Sequence, residues 1–308
     1  MRIINDLTFT AADFSSPAIT IGNYDGLHLG HQEIIARVIA LAKNSGGEAI
    51  VLTFDPHPVQ FLHPELHIPL IAPFRKKMML LEKSGVDCTI NLPFTHDIAQ
   101  FSAARFIRDI VVDRIAPSWV VIGFNFTFGK DRSGTAAELQ KMGERFGFGV
   151  EIVPPHIVAG EVVSSTRIRD LIRQGEIVAA NRMLGMRHFI LGTVIHGHAR
   201  GKGLGFPTAN LEITDDLYPK AGVYAVTVMV GSERYQGVVS IGTNPTFQDK
   251  KFAVEVFLFD YQGDLYGKEL QVNFVARIRD EATFPSQEAL VRQIERDIET
   301  TKEILRTS

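Results

Sequence analysis

Two rhythms in the chain predict an α/β protein of two parts, a mostly parallel sheet wrapped by helices and then a small antiparallel sheet or barrel with a closing helix. From residue 1 to about 182, apolar runs of strand length alternate with helical patterns, the order that builds a parallel sheet covered on both faces. From about residue 187 the apolar runs crowd together across Gly-rich or Asp/Asn-rich turns. The chain then closes on one long stretch of helical spacing.

Taken in order, the first strand candidates are AITIG (18–22), AIVLTF (49–54), CTINLPF (88–94), WVVIGF (119–124) and VEIVPP (150–155). Between them, HQEIIARVIALAK sets Ile34, Ile35, Val38, Ile39 and Ala42 at helical spacing, and AQFSAARFIRDIVV does the same with Phe101, Phe106, Ile107 and Ile110. The boundary is expected near NRMLGMRH (181–188), where a helical pattern ends at Gly185. Beyond it FILGTVI, GVYAVTVMV, RYQGVVSIG, FAVEVFLFD and ELQVNFVARI read as strands. SQEALVRQIERDIETTKEIL reads as a helix capped by Ser286, with Leu290, Ile294 and Ile298 along one face.

Composition narrows the classes. A chain of 308 residues with 45% hydrophobic and 22% charged residues suits two globular domains, each with its own core. No apolar run approaches the ~20 residues that cross a bilayer, and the start MRIINDLTFTAADF has no signal-peptide pattern. The single cysteine, Cys88, excludes an internal disulfide and fits a reducing compartment. A formal net charge of −3 argues against a general nucleic-acid binder. The expected setting is the cytoplasm.

The stretch GNYDGLHLGH (22–31) leaves the first strand candidate and enters the first helix pattern. Strand, Gly-containing turn and helix start make a phosphate-binding arrangement, with backbone N–H groups and partial positive charge facing an anion. Gly22, Asn23 and Asp25 are therefore candidate nucleotide-binding residues. His28 and His31, three apart, fall on one side of the helix start. Metal ligation, acid–base work and phosphate contact all use such pairs. Zinc fits least, because the cysteine is remote and no HExxH pattern occurs. The flanking strand and helix favour imidazole hydrogen bonds to phosphate oxygens that gain charge in a reaction.

Three further segments bear on this site. In VVIGFNFTFGKDRSGT, Asn125 follows a strand; its amide could hold a phosphate or a flat ring, or close a turn. In VSSTRIRDLI, Ser164, Ser165 and Thr166 precede a helix pattern, with Arg167 and Arg169 beside them. Such a group binds anions readily, and it equally makes a capped helix with Arg167 paired to Asp170. In TFDPHPVQF, Pro56 and Pro58 stiffen the loop around His57.

Together GNYDGLHLGHQ, TFDPHP, GFNFTFGKDRSGT and VSSTRIRDLI resemble the HxGH nucleotidyltransferases, and most closely the adenylyltransferase module of the bacterial bifunctional riboflavin kinase/FMN adenylyltransferase (FAD synthetase) family. The resemblance implies a Rossmann-like sheet and transfer of AMP from ATP to FMN with release of pyrophosphate. On it, His28 and His31 are catalytic, stabilising the ATP phosphates, while Asn125 and the segment Ser164, Ser165, Thr166 and Arg167 close around them. Displacement at phosphorus is then in line, with positioning and charge neutralisation doing most of the work. The family's TFDPHP loop lies beside the flavin and nucleotide pocket, which makes Asp55 and His57 candidates for substrate positioning. Tyr24 stands where the family more often has Phe, a difference expected to be harmless.

The second half offers its own chemistry. Gly197 to Lys202 looks like a P-loop fragment and fails on spacing and on Gly203, which stands where Ser or Thr should hold magnesium. The loop could still wrap phosphates through backbone N–H groups, and Gly203 is a candidate there. Thr208 and Asn210, two apart in PTAN, point the same way in an extended segment and offer hard oxygens suited to Mg²⁺ on ATP phosphates. Glu255 shares a face with Ala253, Phe257 and Phe259 at period 2. Burial there would raise its pKa and make it a base; a solvated edge is the alternative.

GLGFPTANL, AGVYAV, IGTNPTF and EVFLFDYQGDLYGKEL with the tail after it resemble the riboflavin kinase domain of the same family, a small β-barrel. By that resemblance Thr208 and Asn210 bind Mg-ATP, and Glu255 activates the 5′-hydroxyl of riboflavin. The whole reading is an adenylyltransferase domain over 1–184 and a kinase domain over 185–308, taking riboflavin to FMN and FMN to FAD. Its partners are riboflavin, FMN and ATP, with no nucleic acid and no membrane, in a monomer or weak oligomer. The rivals are an adenylyltransferase with a degenerate barrel, a non-catalytic flavin or nucleotide sensor, and an HxGH enzyme acting on another acceptor.

Overall fold

A computed structural model describes residues 1–196, 205–215, 217–243 and 252–307. The chain divides by contacts into two compact units, Met1–Ser165 and Thr166–Ser308.

In chain order the first unit holds β1 (Arg2–Ile4), β2 (Ala18–Ile21), α1 (Leu29–Ser45), β3 (Ala49–Asp55), α2 (Pro58–Leu62), α3 (Phe74–Ser84), β4 (Cys88–Pro93), α4 (His96–Ala99) and α5 (Ala103–Phe106). It continues with β5 (Trp119–Gly123), the short pair β6 (Thr127–Phe128) and β7 (Gly134–Thr135), α6 (Ala136–Phe146), β8 (Gly149–Val153), and the pair β9 (Ile157–Val158) and β10 (Glu161–Val162). Six strands form one parallel sheet in the order β1-β4-β3-β2-β5-β8. All five expected strands are present. The addition is β1, whose three residues are too short a run to show any period.

Both faces of the sheet are covered, as near-continuous apolar strands require. On one face Ile19, Ile50, Leu52, Ile90, Leu92 and Ile122 pack against Phe106, Ile107, Ile110 and Ile115. On the other, Ala18, Ala49 and Val121 pack against Ile34, Val38 and Ala42 of α1. Each fully buried Ile or Leu contributes roughly 1.5–3 kcal/mol, so the strand ends are firm supports for the loops they carry. The helix expected over AQFSAARFIRDIVV is interrupted: α4 ends at Ala99, Ser102 caps a new start, and the coil widens to a π-helix over Ile107–Ile115. Its apolar positions still face the core, with Phe101 half-buried beside them.

Strand order reverses between β2 and β5, since β3, β4 and β1 extend to one side of β2 and β8 lies beyond β5. Such a switch point opens a crevice past the carboxyl ends of the strands. GNYDGLHLGH leaves β2 there, and Asn125 follows β5.

The second unit holds the body of α7 (Ser165–Gln174), then α8 (Ile177–Leu184), β11 (Phe189–Ile195), β12 (Ala209–Ile213), β13 (Gly222–Val230), β14 (Glu233–Thr243), β15 (Phe252–Leu258), β16 (Glu269–Arg279) and α9 (Gln287–Arg306). A closed antiparallel barrel runs β11-β12-β15-β14-β13-β16. Closure leaves no free sheet edge. The strand not anticipated is β12, whose five residues ANLEI alternate apolar and polar but form a short run behind the Gly- and Pro-containing segment. Gly185, at φ 68°, ends α8 as expected. Asn181 of α8 donates to the Phe274 carbonyl at 2.9 Å and accepts from the His188 N–H at 2.6 Å, so this helix packs with the barrel.

Ser286 caps α9, accepting from the Ala289 N–H at 3.2 Å. The buried line of that helix is Asp297, Thr301 and Leu305, whereas Leu290, Ile294 and Ile298 are only half-buried. A polar anchor explains the rotation: Arg279 of β16 grips both Asp297 oxygens at 2.8–3.1 Å, and Gln293 adds a bond at 2.9 Å.

Candidate active site

The loop after β2 is tightly constrained. Tyr24, Gly26 and Leu27 have φ of +50°, +90° and +42°. Left-handed backbone at non-glycine residues costs of order 1–3 kcal/mol and gathers at functional sites. At residue 26 a Cβ would stand 2.9 Å from Ile71 Cγ2, so only glycine closes the loop there. Asp25 is buried; its Oδ1 accepts the Ala72 N–H at 2.9 Å, and its backbone carbonyl accepts the Ser165 hydroxyl at 2.8 Å.

His28 is the N-cap of α1, and its Nδ1 accepts the His31 N–H at 3.4 Å. That bond leaves the ring proton on Nε2, free to be donated. The two imidazoles stack with centroids 3.6 Å apart and planes 16° from parallel. Tyr24 meets His31 edge-on at 5.0 Å, and the Tyr24 hydroxyl bonds the Thr20 hydroxyl. Burial, opposed by a hydrogen bond to its own backbone and aided by the field of His156, pushes His28 down to about 4. Burial, then His28 and Lys77, holds His31 well below the ordinary histidine value. Near neutral pH both rings are therefore uncharged hydrogen-bond donors. Nδ1 of His31 is buried with no hydrogen-bond partner.

Asn125 is exposed just past β5. Helix α7 begins at Ser165, so of the three hydroxyl residues only Ser164 precedes the helix. Ser164, Ser165 and Arg167 are half-buried, and Thr166 is exposed. Asp55 is exposed at the end of β3, while His57 is buried and caps α2 by accepting the Val59 N–H at 3.2 Å.

Two residues at this end of the sheet were not read from the sequence. Lys77 of α3 is buried, and its Nζ donates to Thr53 Oγ1 at 3.2 Å; the Thr53 hydroxyl in turn reaches the Asn23 carbonyl at 3.3 Å. Burial pushes its pKa down, and the fields of Asp25 and Asp55 oppose that. His156, after β8, sits 3.1 Å from Glu33 of α1. A Lys-Lys pair reads as a solvated helix face, and PPH reads as the tail of a strand. Only the folded chain shows otherwise.

In the barrel, the Thr208 hydroxyl donates to Glu255 Oε2 at 3.3 Å. Asn210 of β12 stands directly opposite Glu255 of β15. Ala209 points into the core between them, so Thr208, Asn210 and Glu255 share one face, as their spacing predicts. One expectation is corrected. Val254, Val256 and Leu258 fill the barrel core, while Ala253, Glu255 and Phe257 are half-buried on the other face with Phe259 buried beyond them, so Glu255 is half-buried beside apolar side chains and not inside the barrel core. Gly203 lies outside the described residues.

Among the described residues no group of three or more His, Cys, Asp or Glu could hold a metal ion. The hydroxyl, amide and carboxylate of Thr208, Asn210 and Glu255 are hard oxygens, a set that fits a cation keeping phosphate and water among its ligands. No helix among the described residues is long and apolar enough to cross a membrane.

The sequence matches two family models, FAD synthetase over residues 11–167 and riboflavin kinase over residues 184–305. It is 37% identical to a bifunctional riboflavin kinase/FMN adenylyltransferase of Listeria monocytogenes, covering 92% of this chain and 91% of that one. A protein of the same description from Haemophilus influenzae is 36% identical, with 98% of each chain covered. A solved structure described as a macrolide-efflux protein from Streptococcus pneumoniae is 33% identical and superposes with a TM-score of 0.88, covering 98% of this chain and 99% of that one.

Proposed function

The chain belongs to the bifunctional riboflavin kinase/FMN adenylyltransferase family, and from that premise we propose how its own residues divide the work. It is an enzyme with two transferase activities: it phosphorylates riboflavin with ATP to give FMN, and it adenylylates FMN with ATP to give FAD and pyrophosphate. We place the boundary between the two family modules at residues 184/185, where the kinase match begins, while α8, before it, packs with the barrel in the second compact unit.

In the adenylyl transfer, a phosphate oxygen of FMN attacks the α-phosphorus of ATP, the bond to the pyrophosphate oxygen breaks, and pyrophosphate leaves. His28 and His31 donate hydrogen bonds to the oxygens that gain charge as that bond breaks. Their neutral, buried, stacked arrangement is the observation that carries this reading. Gly22, Asn23, Asp25, Asn125, Ser164, Ser165, Thr166 and Arg167 are assigned to nucleotide binding, and Asp55 and His57 to substrate positioning.

In the kinase step, the riboflavin 5′-hydroxyl attacks the γ-phosphorus of ATP and ADP leaves. Glu255 takes the hydroxyl proton, and Thr208, at 3.3 Å, orients that carboxylate. Thr208 and Asn210 are the residues that would hold Mg²⁺, which when bound neutralises phosphate charge. The intact Thr208–Asn210–Glu255 face favours a working kinase over a degenerate barrel.

The test is incubation of the full chain with riboflavin, ATP and Mg²⁺ while both products are followed over time. FMN should rise first and FAD after it. Binding of flavin and nucleotide with neither product formed would leave a sensor. FAD made only when FMN is supplied would leave an adenylyltransferase alone.

A further inference from the structure

His156 lies outside every motif used above, and a partly exposed bond such as its bond to Glu33 contributes little to stability. Yet its place is fixed from both sides. Pro154 and Pro155 stiffen the exit from β8, and the His156 carbonyl accepts the Val163 N–H at 2.9 Å, closing the base of the β9–β10 hairpin. Nδ1 of His156 donates to Glu33 Oε2 at 3.1 Å, which sets the rotation of the ring. Beside it runs a slot with a glycine floor. Gly30, Glu33 and Ile34 share one side of α1. A Cβ at residue 30 would stand 3.5 Å from the His28 ring and 3.8 Å from His156 Cβ. One at residue 123, at the end of β5, would stand 3.4 Å from Ile34 Cδ1 and 3.6 Å from Asn125 Oδ1. These are ordinary contact distances and neither glycine has a positive φ, so the fold itself accepts alanine at both. In a helix alanine is the more stable choice. The two glycines therefore keep space open for something outside the chain, between His28, His156 and Asn125.

We propose that His156, held by Glu33, binds the nucleoside half of ATP during adenylyl transfer, its imidazole serving as the flat wall against which the base packs over Gly30. The proposal rests on the assignment of adenylyl transfer to the first unit. The slot begins at His28, which that reading gives to the ATP phosphates, so its occupant is joined to them. Two groups qualify, the nucleoside and the flavin. Strand order separates them: the TFDPHP loop, assigned to substrate positioning, follows β3 on one side of β2, while Asn125 and His156 follow β5 and β8 on the other. The nucleoside takes the second side. Charge agrees, because the Glu33 carboxylate at the rim repels phosphate and tolerates a neutral base. The lining suits a flat heteroaromatic ring: glycine admits close approach, an imidazole stacks, and an amide bonds a ring edge. Exposed Phe124, whose N–H donates to the Val153 carbonyl at 2.9 Å, sets a second aromatic ring at the same strand end.

The experiment is steady-state FAD formation from FMN and ATP in the wild type, His156→Ala, His156→Phe, Glu33→Gln and Glu33→Ala, with AMP and pyrophosphate as inhibitors. The side chains of His156 and Glu33 are 34% and 44% exposed, so these variants keep the fold. In His156→Ala the KM for ATP and the inhibition constant of AMP should rise together, at least about fivefold. The kcat, the KM for FMN and the inhibition constant of pyrophosphate should stay within about twofold of the wild type. His156→Phe restores a flat wall and should return the ATP and AMP values to within about twofold, although it makes no bond to Glu33. Glu33→Ala should raise the KM for ATP less than His156→Ala does, and Glu33→Gln, which still accepts the Nδ1 proton, less again. The KM for ATP in riboflavin phosphorylation should not move in any of them. An unchanged KM for ATP in His156→Ala overturns the proposal. So does a rise shared by pyrophosphate or FMN, which would put phosphate or flavin in the slot, and so does His156→Phe as weak as His156→Ala. A wild type that makes FMN and no FAD overturns the assignment of adenylyl transfer, and the proposal with it.

Discussion

The His28 and His31 imidazoles lie face to face, 3.6 Å apart, and the backbone N–H of one residue is bound by the ring of the other. This geometry has a cost in acid. The folded-state pKa of His28, about 4, is below the ordinary value of 6.5, so folding disfavours its charged form. Its contribution to stability is complete above about pH 6.5 and is lost as pH falls from there towards 4, a loss of roughly 3 kcal/mol over the window. Calorimetry should therefore show the first unit melting progressively lower across this range, and His28→Ala should flatten the dependence. A variant with the wild-type slope would place the acid sensitivity elsewhere.

Thr208→Ala and Asn210→Ala should suppress riboflavin phosphorylation while FMN supplied directly is still converted to FAD. The bond from Thr208 to Glu255 at 3.3 Å makes the first variant informative in another way. Loss of an orienting hydroxyl should lower kcat, and loss of a nucleotide contact should raise the KM for ATP. Steady-state kinetics on each substrate separates the two.

The Tyr24 hydroxyl bonds the buried Thr20 hydroxyl. Tyr24→Phe leaves Thr20 without that partner, which should cost about 1–2 kcal/mol in denaturant unfolding. FAD formation should stay within about twofold, because the ring edge against His31 is unchanged. A tenfold fall would give the hydroxyl a catalytic part.

Asp297 on α9 is buried and held by Arg279 through both oxygens. Asp297→Ala strands a partly buried guanidinium and should destabilise the second unit by about 3 kcal/mol, read as a lower melting transition. Substituting the exposed Glu295, a neighbour on the same helix, should change little.

Much of this was legible in the sequence because apolar periodicity and turn chemistry are local. The five expected strands of the parallel sheet and α1 follow from runs such as AIVLTF and from Ile34, Ile35, Val38 and Ala42. The misses are elements fixed by partners. Three residues of β1 become a strand only because β4 offers an edge, and α9 turns its Asp297 inward because Arg279 waits on β16. The histidine motif and the Thr208, Asn210 and Glu255 set were visible by spacing. Lys77 was not, because no residue near it in sequence signals that its helix face is buried against Thr53. For Glu255 period 2 gave the right face-mates, and barrel closure decided how deeply that face is covered.

The central claim is that one chain carries two separate phosphate chemistries. It is tested most directly by measuring both products in two variants, His31→Ala and Glu255→Gln, each confirmed folded. His31→Ala should lower FAD formation by a factor on the order of 10²–10³ with FMN formation unchanged. Glu255→Gln should lower FMN formation by a factor on the order of 10²–10⁴ and leave FMN-to-FAD conversion intact. If both steps fell together in either folded variant, the two-site account would be wrong.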